Sequence, residues 1–490
     1  MRSSSFNSTS LVLPRKTKIV AALLLLSGFA GTASAGCPAD FPESPALSAP
    51  IEHQDILDGA YHFDEVFAKG EELFIAKFNT CDGQGRPATT GAGNKRIADQ
   101  PAFIRTSAPD ANSCSGCHSQ PRDGGAGDIV ANVFVLAQAL DPVTESVSAE
   151  FSNNRNTLGM FGAGPIEMLA REMTADLQAQ AGALPDGFHT LITKGVEFDI
   201  RKENGLVVES WGVDKDLVIK PFHQAGVVIS LREFTVNAMN HHHGMQAEER
   251  FDLNPAKGPD FDEDGLNREL TIGDMTAASI YQAALGTPRQ VMPRDPQKRE
   301  SVVKGREVFE TIGCASCHTP KMVLESRMFS EPNPYNPPGT FADTSEVYSF
   351  DMTKHGEYPR LKRHGKHGAV VEAYTDLKRH NLCDPETQPD AIRFYCNEQL
   401  DQNRPEQDGR PGREFFLTRK LWDVGNSAPY GHGGNITTIT EAILFHGGEG
   451  RSSRDNFDSL PTSDKVAVID FLQSLQVVPD HHRRNRHAKN

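Results

Sequence analysis

Residues 114–118 read CSGCH and residues 314–318 read CASCH, so the pattern Cys-x-x-Cys-His occurs twice, 200 positions apart. In this pattern two thiols attach a haem covalently through its vinyl groups, and the histidine that follows binds the haem iron. At this content of cysteine and histidine, chance supplies one such pentapeptide on the order of 0.005 times per chain. The motifs predict two covalent c-type haems, held by six residues: Cys114, Cys117, His118, Cys314, Cys317 and His318.

Pairs of the form Cys-x-x-Cys also occur in four-thiolate zinc sites and in thioredoxin-like dithiols. A zinc ribbon does not require a histidine directly after each second cysteine, and its pairs usually lie closer together in the chain. A redox dithiol lies near a βαβ pattern, and neither pair has one beside it. We therefore favour haem attachment, with zinc or disulfide chemistry as the alternative.

The first 35 residues predict an export signal. Arg15, Lys16 and Lys18 form a basic start, IVAALLLLSGFA (19–30) is apolar, and ASA (33–35) fits a cleavage site. Twelve apolar residues are too few to span a bilayer, and no later segment approaches ~20. We expect a mature protein in the periplasm, with secretion as the alternative, and no stable membrane insertion.

Four cysteines remain outside the haem motifs: Cys37, Cys81, Cys383 and Cys396. An even remainder in an oxidising compartment predicts two disulfides. Cys383–Cys396 is the favoured pair because it closes a short polar loop. Cys37–Cys81 then follows by elimination.

The chain is acidic, with a formal net charge of −15. The predicted signal carries four positive and no negative charges, so the mature charge is −15 − 4 = −19. Nucleic acid and anionic membranes are therefore poor partners, whereas a basic electron-donor protein is attracted. The basic tail RRNRHAKN (483–490) is short and is expected to be a frayed end.

Two segments show helical spacing of apolar residues typical of cytochrome c domains. SVVKGREVFETIG (301–313) leads into the second haem motif, and SDKVAVIDFLQSL (463–475), with Ser463 as N-cap, resembles a closing helix. Clean strand patterns of period two are scarce, and Gly/Pro/Asp-rich stretches such as 82–98 and 329–345 predict long irregular loops. We expect a mostly α fold with two c-type cytochrome domains, each with one covalent haem.

The predicted domains meet near GTPRQVMPRDP (286–296). Their expected bounds are a signal peptide at 1–35, an N-terminal haem domain at 36–290, a C-terminal cytochrome c domain at 291–478, and a basic tail at 479–490.

Three further stretches carry a family resemblance. LREFTVNAMNHHHGM (231–245), DFDEDGLNREL (260–270) and SAPYGHGGNITTITEAILFHGGEG (427–450) resemble the di-haem oxidoreductase family, which is related to the bacterial dihaem cytochrome c peroxidases. The resemblance runs from about residue 70 to 475. It implies that the haem on His118 meets the oxidant, while the six-coordinate haem on His318 carries electrons.

The resemblance also implies a sixth ligand for the second iron. In the peroxidases this ligand lies fourteen positions after the histidine of the PYGHGG segment; here that histidine is His432, and 432 + 14 = 446 is His446. One alternative is that His446 only caps the helix before it. The other is that His380 is the ligand.

For proton transfer at the first haem, the resemblance implies a glutamate in a Gly-Pro-containing stretch. FGAGPIEMLAREM (161–173) is similar and offers Glu167 as the catalytic residue. The alternative is an exposed glutamate at a helix start.

Two departures from the peroxidase pattern bear on activity. FSNNR (151–155) has Ser152 where the relatives have a tryptophan between the haems, and Trp211 is a candidate substitute. His223 and the run 241–243 lie between the haem motifs. One of these histidines would turn the protein into an electron carrier if it blocked the first iron; otherwise they are surface residues.

DFDEDGLNREL (260–270) also suits a calcium loop, because aspartates alternate before Gly265 and Glu269 follows. Position twelve of a standard EF-hand loop falls on Thr271, so that loop type is not present. A calcium site and a solvated acidic loop remain the alternatives.

The resemblance and the motifs together predict a periplasmic dihaem c-type oxidoreductase. The leading interpretation is a peroxidase that reduces hydrogen peroxide with electrons from a small redox protein, a cytochrome or a cupredoxin. The alternatives are a dihaem oxygenase that uses dioxygen on an organic substrate, and a non-catalytic electron-transfer protein.

Overall fold

The computed structural model describes the chain in seven stretches, which are residues 43–84, 102–103, 111–133, 139–140, 153–251, 266–384 and 414–478. The predicted export signal and the predicted basic tail lie outside these residues, as do Cys37, Ser152 and Cys396. Within the described stretches, no helix is long and apolar enough to cross a membrane. The predicted domain bounds stay predictions.

The α-helices are, in chain order, α1 His53–Leu57, α2 Phe63–Ile75, α3 Ala163–Ala183, α4 Leu231–Ala238, α5 Glu248–Phe251, α6 Ile272–Ala283, α7 Pro296–Thr311, α8 Ile439–Leu444, α9 Arg451–Asp458 and α10 Thr462–Gln473. Directly after α4 the chain continues as a π-helix, Met239–His243.

The strands are β1 Ala102–Phe103, β2 Gly127–Val133, β3 Ala139–Leu140, β4 Asn153–Thr157, β5 Gly187–Thr193, β6 Val196–Glu203, β7 Leu206–Ser210, β8 Arg289–Gln290, β9 Met322–Leu324, β10 Met328–Glu331, β11 Tyr348–Asp351, β12 Lys362–His364, β13 Gly368–Val371, β14 Arg379–Asn381, β15 Phe415–Leu417 and β16 Leu475–Gln476. Among the described residues they pair in seven small sheets, five of two strands and two of three. The prediction of a mostly α fold is therefore wrong. Most of these strands are two to five residues long, too short to leave a repeating pattern in the sequence.

One sheet does carry a readable pattern, the antiparallel sheet β5–β6–β7. Along β6, VEFDIRKE, buried and more exposed residues alternate. The two-residue turns Lys194-Gly195 and Asn204-Gly205 have positive φ at both positions, as tight hairpins of type I′ require. The sequence of this segment therefore contains a strand pattern of period two, which we did not identify when we expected such patterns to be scarce.

The inner face of this sheet packs on α3. Leu191 and Phe198 are fully buried in the same core as the apolar face of that helix. The buried ammonium group of Lys202 donates to the carbonyl oxygens of Ala181 (2.5 Å) and Leu184 (2.7 Å) at the end of α3. A cation there satisfies carbonyls that have no partner inside the helix.

The two helices predicted around the second haem motif are confirmed as α7 and α10. The predicted segment 301–313 falls mostly within α7, which also extends to Pro296 and follows the capping side chain of Asp295. The second helix begins at Thr462, one residue before the predicted N-cap Ser463.

α7 and α10 pack closely because Gly305 lies at their contact. A Cβ atom at this position would lie 1.8 Å from the carbonyl oxygen of Ala467, so a larger side chain would force the helices apart. Next to them, β8 pairs with β16, which ties the connection before α7 to the chain after α10. The second haem motif therefore follows a helix that the far end of the chain holds in place.

Candidate haem site

Both Cys-x-x-Cys-His motifs line one cavity of about 740 Å³. In each motif the first three residues form a short 3₁₀ turn, Cys114–Gly116 and Cys314–Ser316. The four motif thiols form no disulfides. The predicted haem-attachment residues thus meet around one space of the size that proteins use for cofactors.

The two motif histidines are oriented alike. His118 donates from Nδ1 to the carbonyl oxygen of Leu158 at 3.0 Å, and His318 donates from Nδ1 to that of Tyr374 at 3.1 Å. Iron-binding histidines commonly make this bond, which fixes the tautomer and leaves Nε2 for the metal. The donor set therefore fits two haem irons.

Burial keeps both imidazoles neutral. Burial and the neighbouring His242 lower the pKa of His118 to about 4. Burial and the neighbouring His446 lower the pKa of His318 to about 4. A neutral imidazole offers the lone pair that an iron ligand needs.

His446 lies across the cavity from His318. Their ring centres are 6.4 Å apart, and their planes are inclined at 64°. An ion between two imidazoles needs a comparable separation, because each metal–nitrogen bond is about 2 Å long. His446 follows α8 and donates from Nδ1 to the carbonyl oxygen of Ala442 at 2.8 Å, so the predicted pair is brought together.

His380, the rival for this position, is occupied elsewhere. Its Nδ1 lies 2.6 Å from a carboxylate oxygen of Glu449, and its Nε2 lies 2.8 Å from one of Asp376. Burial disfavours its charge, but hydrogen bonds to Asp376, Cys317 and Glu449 outweigh this and raise the pKa of His380 to about 11. A protonated ring has no lone pair for iron, so this geometry favours His446.

Zinc remains the alternative use of the motif thiols. Among the described residues, the group that brings metal-ligand atoms together is Cys317, Asp376 and His380, with these atoms within 4.8 Å of one another. This group contains one motif cysteine rather than four. The structure therefore gives no support to a four-thiolate zinc site.

A continuous helical segment, α4 followed by the π-helix, forms the wall beside the first motif. His243, the last residue of the π-helix, places Nε2 3.3 Å from the sulfur of Cys114 and donates from Nδ1 to the carbonyl oxygen of Ala111 at 2.7 Å. The preceding His242 lies in the cavity lining, near enough to lower the pKa of His118. π-Helices are rare and occur often at functional sites.

Part of the cavity side of this segment is polar. Glu233, Asn237 and His241 recur at intervals of four, which places them on one side of a helix, and all three line the cavity together with His242. We refer to these four residues as the polar wall. It offers a carboxylate, an amide and two imidazoles to the cavity that both motifs line.

Glu167, the predicted catalytic residue, lies on α3 and is fully buried, and it is not among the cavity-lining residues. Its Oε1 accepts from Arg171 and from the amide of Asn333 (2.8 Å), and its Oε2 accepts from the backbone N–H of Leu231 (2.8 Å). These bonds tie α3 to the start of α4. The predicted catalytic role stays a prediction.

Glu233 is a cavity-lining carboxylate that sequence reasoning missed. Its Oε2 accepts from the backbone N–H of Ile229 at 2.7 Å. Burial raises the pKa of Glu233, and the carboxylate of Glu167 adds to this rise. The available signal was its position one helical turn before Asn237 in a stretch already singled out for its histidines.

The other predicted residues are dispersed. His223 lines the cavity and has a positive φ of 70°, whereas Trp211 is exposed on the surface. Cys81 and Cys383 are disulfide-bonded, but the predicted pairing stays a prediction because their expected partners lie outside the described residues.

The proposed calcium loop lies mostly outside the described residues, which resume at 266. Glu269, at its end, accepts from the backbone N–H of Gln246 at 2.7 Å and from the side-chain amide of the same residue at 2.8 Å. This carboxylate therefore holds the chain that follows the π-helix.

Comparison with known proteins supports the haem interpretation. The model of the family described as "Di-haem oxidoreductase, putative peroxidase" matches residues 389–475, a segment that includes both His432 and His446. This part of the chain carries the sequence features of a di-haem oxidoreductase, and the predicted resemblance is confirmed over it. No curated protein matches the chain.

Two solved structures are similar at low identity. Hydrazine synthase of Kuenenia stuttgartiensis, pressurised with xenon, is 13% identical over 90% of this chain and 99% of its own, with a TM-score of 0.32. A MauG-like protein associated with microbial copper homeostasis is 14% identical over 64% of this chain and 88% of its own, with a TM-score of 0.26. Such TM-scores do not establish a shared fold.

Proposed function

We propose that this protein is a periplasmic di-haem c-type oxidoreductase that reduces hydrogen peroxide with electrons from a small redox protein. The observation that carries the proposal is the shared cavity, where each motif histidine is turned toward the cavity by a backbone carbonyl. The family match adds the class of di-haem oxidoreductases.

Six residues would hold the two haems. Cys114 and Cys117 would form thioethers with the first haem and Cys314 and Cys317 with the second, while His118 and His318 bind the irons. When bound, haem supplies an iron that takes up and releases single electrons. The residues around each motif then decide what that redox chemistry is used for.

The second site suits electron transfer. His446 faces His318, and the buried side chains of Phe309, Tyr374 and Phe471 pack against one another beside them. With an imidazole on each side and an apolar surround, this site leaves little room for a substrate.

The first site suits proton-coupled chemistry. Reduction of hydrogen peroxide to two molecules of water consumes two electrons and two protons, so the reaction needs groups that deliver protons. The polar wall provides such groups on the cavity side of α4 and the π-helix. Glu233 is the favoured proton donor, because it lines the cavity and because burial raises its pKa, which keeps a proton available closer to neutral pH.

A second candidate function is electron transfer without catalysis. It is favoured by the parallel between the two sites, since His242 neighbours His118 much as His446 neighbours His318. A His242 that bound the first iron permanently would leave no position for peroxide.

One experiment separates these two functions. The purified dihaem protein is examined by electronic absorption and electron paramagnetic resonance, first fully oxidised and then with one electron per molecule, and peroxide consumption is measured in both states. The proposal expects a high-spin component and peroxide turnover in at least one state. Two low-spin haems with no turnover in either state would favour the electron carrier.

Location is tested separately. Cell fractionation with sequencing of the mature N-terminus is expected to find the protein in the periplasmic fraction, beginning after Ala35. Recovery in the cytoplasm with an intact N-terminus would contradict the proposed location.

A further inference from the structure

The sheet β5–β6–β7 exposes an unusual amount of apolar surface. Phe188 and Leu206 are each 71% exposed, Ile192 is 54% exposed, and Trp211, directly after β7, is 46% exposed. The ring centres of Phe188 and Trp211 lie 6.4 Å apart. Single exposed apolar residues are ordinary on proteins, but several on one small element indicate a contact surface.

Strand alternation places these side chains on one face. Phe188 is paired with Arg201, Ile192 with Glu197 and Leu206 with Glu203. Since paired residues point to the same side of a sheet, the three apolar side chains share the outer side with these charged residues. The opposite side packs on α3. We call this outer side, with Trp211, the hairpin face.

The hairpin face is acidic. Its strands carry the carboxylates of Glu197, Asp199, Glu203 and Glu209 against one guanidinium, that of Arg201. Arg201 lies over the ring of Phe188, 5.8 Å from its centre, and forms ion pairs with Glu203 and Glu209. The outward-facing side chains of the three strands therefore carry a net charge of −4 + 1 = −3, whereas the buried Lys202 faces the opposite side.

The negative charge of the hairpin face determines which kind of partner protein can bind there. Two copies of the hairpin face would bring like charges together, which disfavours self-association. A basic partner could pair its charges with these carboxylates and pack apolar side chains against Phe188 and Trp211, and specific protein interfaces combine these two kinds of contact.

The hairpin face is also connected to the second motif. The backbone N–H of Arg379 donates to the carbonyl oxygen of Gly212, next to Trp211, at 3.0 Å. The next residue, His380, places a ring nitrogen within 4.8 Å of the sulfur of Cys317. A short path thus runs from Gly212, next to the exposed Trp211, to the predicted haem-attachment residue Cys317. It consists of one backbone hydrogen bond to Arg379 and the side-chain contact of the next residue, His380.

A second link runs alongside the first. Lys378 donates from Nζ to the carbonyl oxygen of Glu197 in β6 at 2.7 Å, and its neighbour Leu377 lines the haem cavity. Short connections of this kind are what electron transfer from a docked protein needs.

We propose that the hairpin face is the docking surface for a basic redox-donor protein, which delivers electrons to the second haem. Each docking event oxidises the donor by one electron and reduces the second haem by one electron, so two events supply one peroxide. This inference rests on the proposed function and adds where the donor binds and what charge it carries.

The test uses the dihaem holoprotein, a reduced basic c-type cytochrome as donor, and ascorbate with a small mediator as a donor that needs no docking. The double variant Phe188→Ser and Trp211→Ala is expected to raise the KM for the cytochrome roughly 10-fold. Turnover with the small donor stays within about twofold. Tyr358→Ala is the matched control, because Tyr358 is an exposed aromatic residue (47%) outside the sheet.

A charge variant tests the same surface independently. The double variant Glu197→Lys and Asp199→Lys is also expected to raise the KM for the basic cytochrome. This KM is expected to depend less on ionic strength than in the unaltered protein, because two attractive charges have been reversed. Binding of the oxidised cytochrome, measured by calorimetry, is expected to weaken in parallel. This binding measurement gives a result even if peroxide is not the substrate.

The outcomes separate the proposals. If the unaltered protein shows no peroxide turnover with the small donor, the proposed function is contradicted. The docking proposal is then tested by the cytochrome-binding measurement alone. Unchanged cytochrome binding in both hairpin-face variants, with haem content retained, would overturn the docking proposal. A variant that converts a dimer into a monomer in sedimentation would show instead that a second copy occupies the face.

Discussion

The imidazole rings of His318 and His446 face each other across the cavity with their centres 6.4 Å apart. These residues are separated by 446 − 318 = 128 positions, yet the fold brings them to the spacing of two ligands on one iron. Two imidazoles lower the reduction potential of a haem relative to one imidazole and one thioether. The second haem is therefore expected to have a low potential.

Substitution of the second ligand tests this pair. His446→Met is expected to raise the potential of the second haem and to introduce a sulfur–iron absorption band near ~700 nm. Potentiometry followed by absorption spectroscopy measures both. His380→Ala is the control, since that imidazole is bonded to carboxylates; loss of the low-spin signal in His380→Ala but not in His446→Ala would show that His380 is the ligand.

Haem content is the next prediction. The pyridine haemochrome assay is expected to give two haems per chain that acid–acetone does not extract, because thioether bonds hold them. The double variant Cys314→Ala and Cys317→Ala is expected to retain one. A single haem in the unaltered protein, or haem released by acid–acetone, would rule out the two-haem architecture.

The two glutamates near α4 form a matched pair. Glu233→Gln is expected to lower peroxide turnover roughly 10²-fold with both haem spectra unchanged, since the variant lacks a transferable proton. Glu167→Gln is expected to act mainly on stability, lowering the free energy of unfolding by about 1–3 kcal/mol, because it weakens the buried contact with Arg171.

Steady-state kinetics and thermal unfolding of both variants decide between the two roles. A roughly 10²-fold loss of turnover in Glu167→Gln at unchanged stability would support the sequence-based prediction that Glu167 is the catalytic residue.

Access to the first iron is tested at the polar wall. His242→Ala is expected to increase the high-spin fraction of the first haem and to accelerate cyanide binding there, because it removes the imidazole beside His118. His241→Ala, from the same cavity lining, is the control and is expected to change cyanide binding less. Equal spectra and rates in all three proteins would mean that His242 does not face the iron.

The two Cys-x-x-Cys-His motifs were recognisable because each pattern is contained in five consecutive residues, and covalent haem attachment at them stays a prediction. The helices α7 and α10 were predictable because each carries a helical repeat of apolar residues. The partnership of His318 and His446 came from a spacing within the family resemblance, and the structure brings these two residues together.

The rest depended on contacts that leave no local pattern. The carbonyl oxygens of Leu158 and Tyr374 orient the two motif histidines, and any residue can supply a carbonyl. The family resemblance pointed to Glu167 alone, and only the packing of α3 against α4 shows that Glu167 is buried while Glu233 lines the cavity. The short strands and the π-helix likewise follow from tertiary packing rather than from local preference.

The close packing at Gly305 has a consequence for biosynthesis. The helix before the second motif rests on α10, and the facing imidazole belongs to the chain after α8, so both supports are made after the motif itself. A chain that stops before residue 439 keeps all four motif thiols but has neither support. The fold therefore makes the second motif depend on chain that follows it, because its two supports do not exist until α8 to α10 have been synthesised.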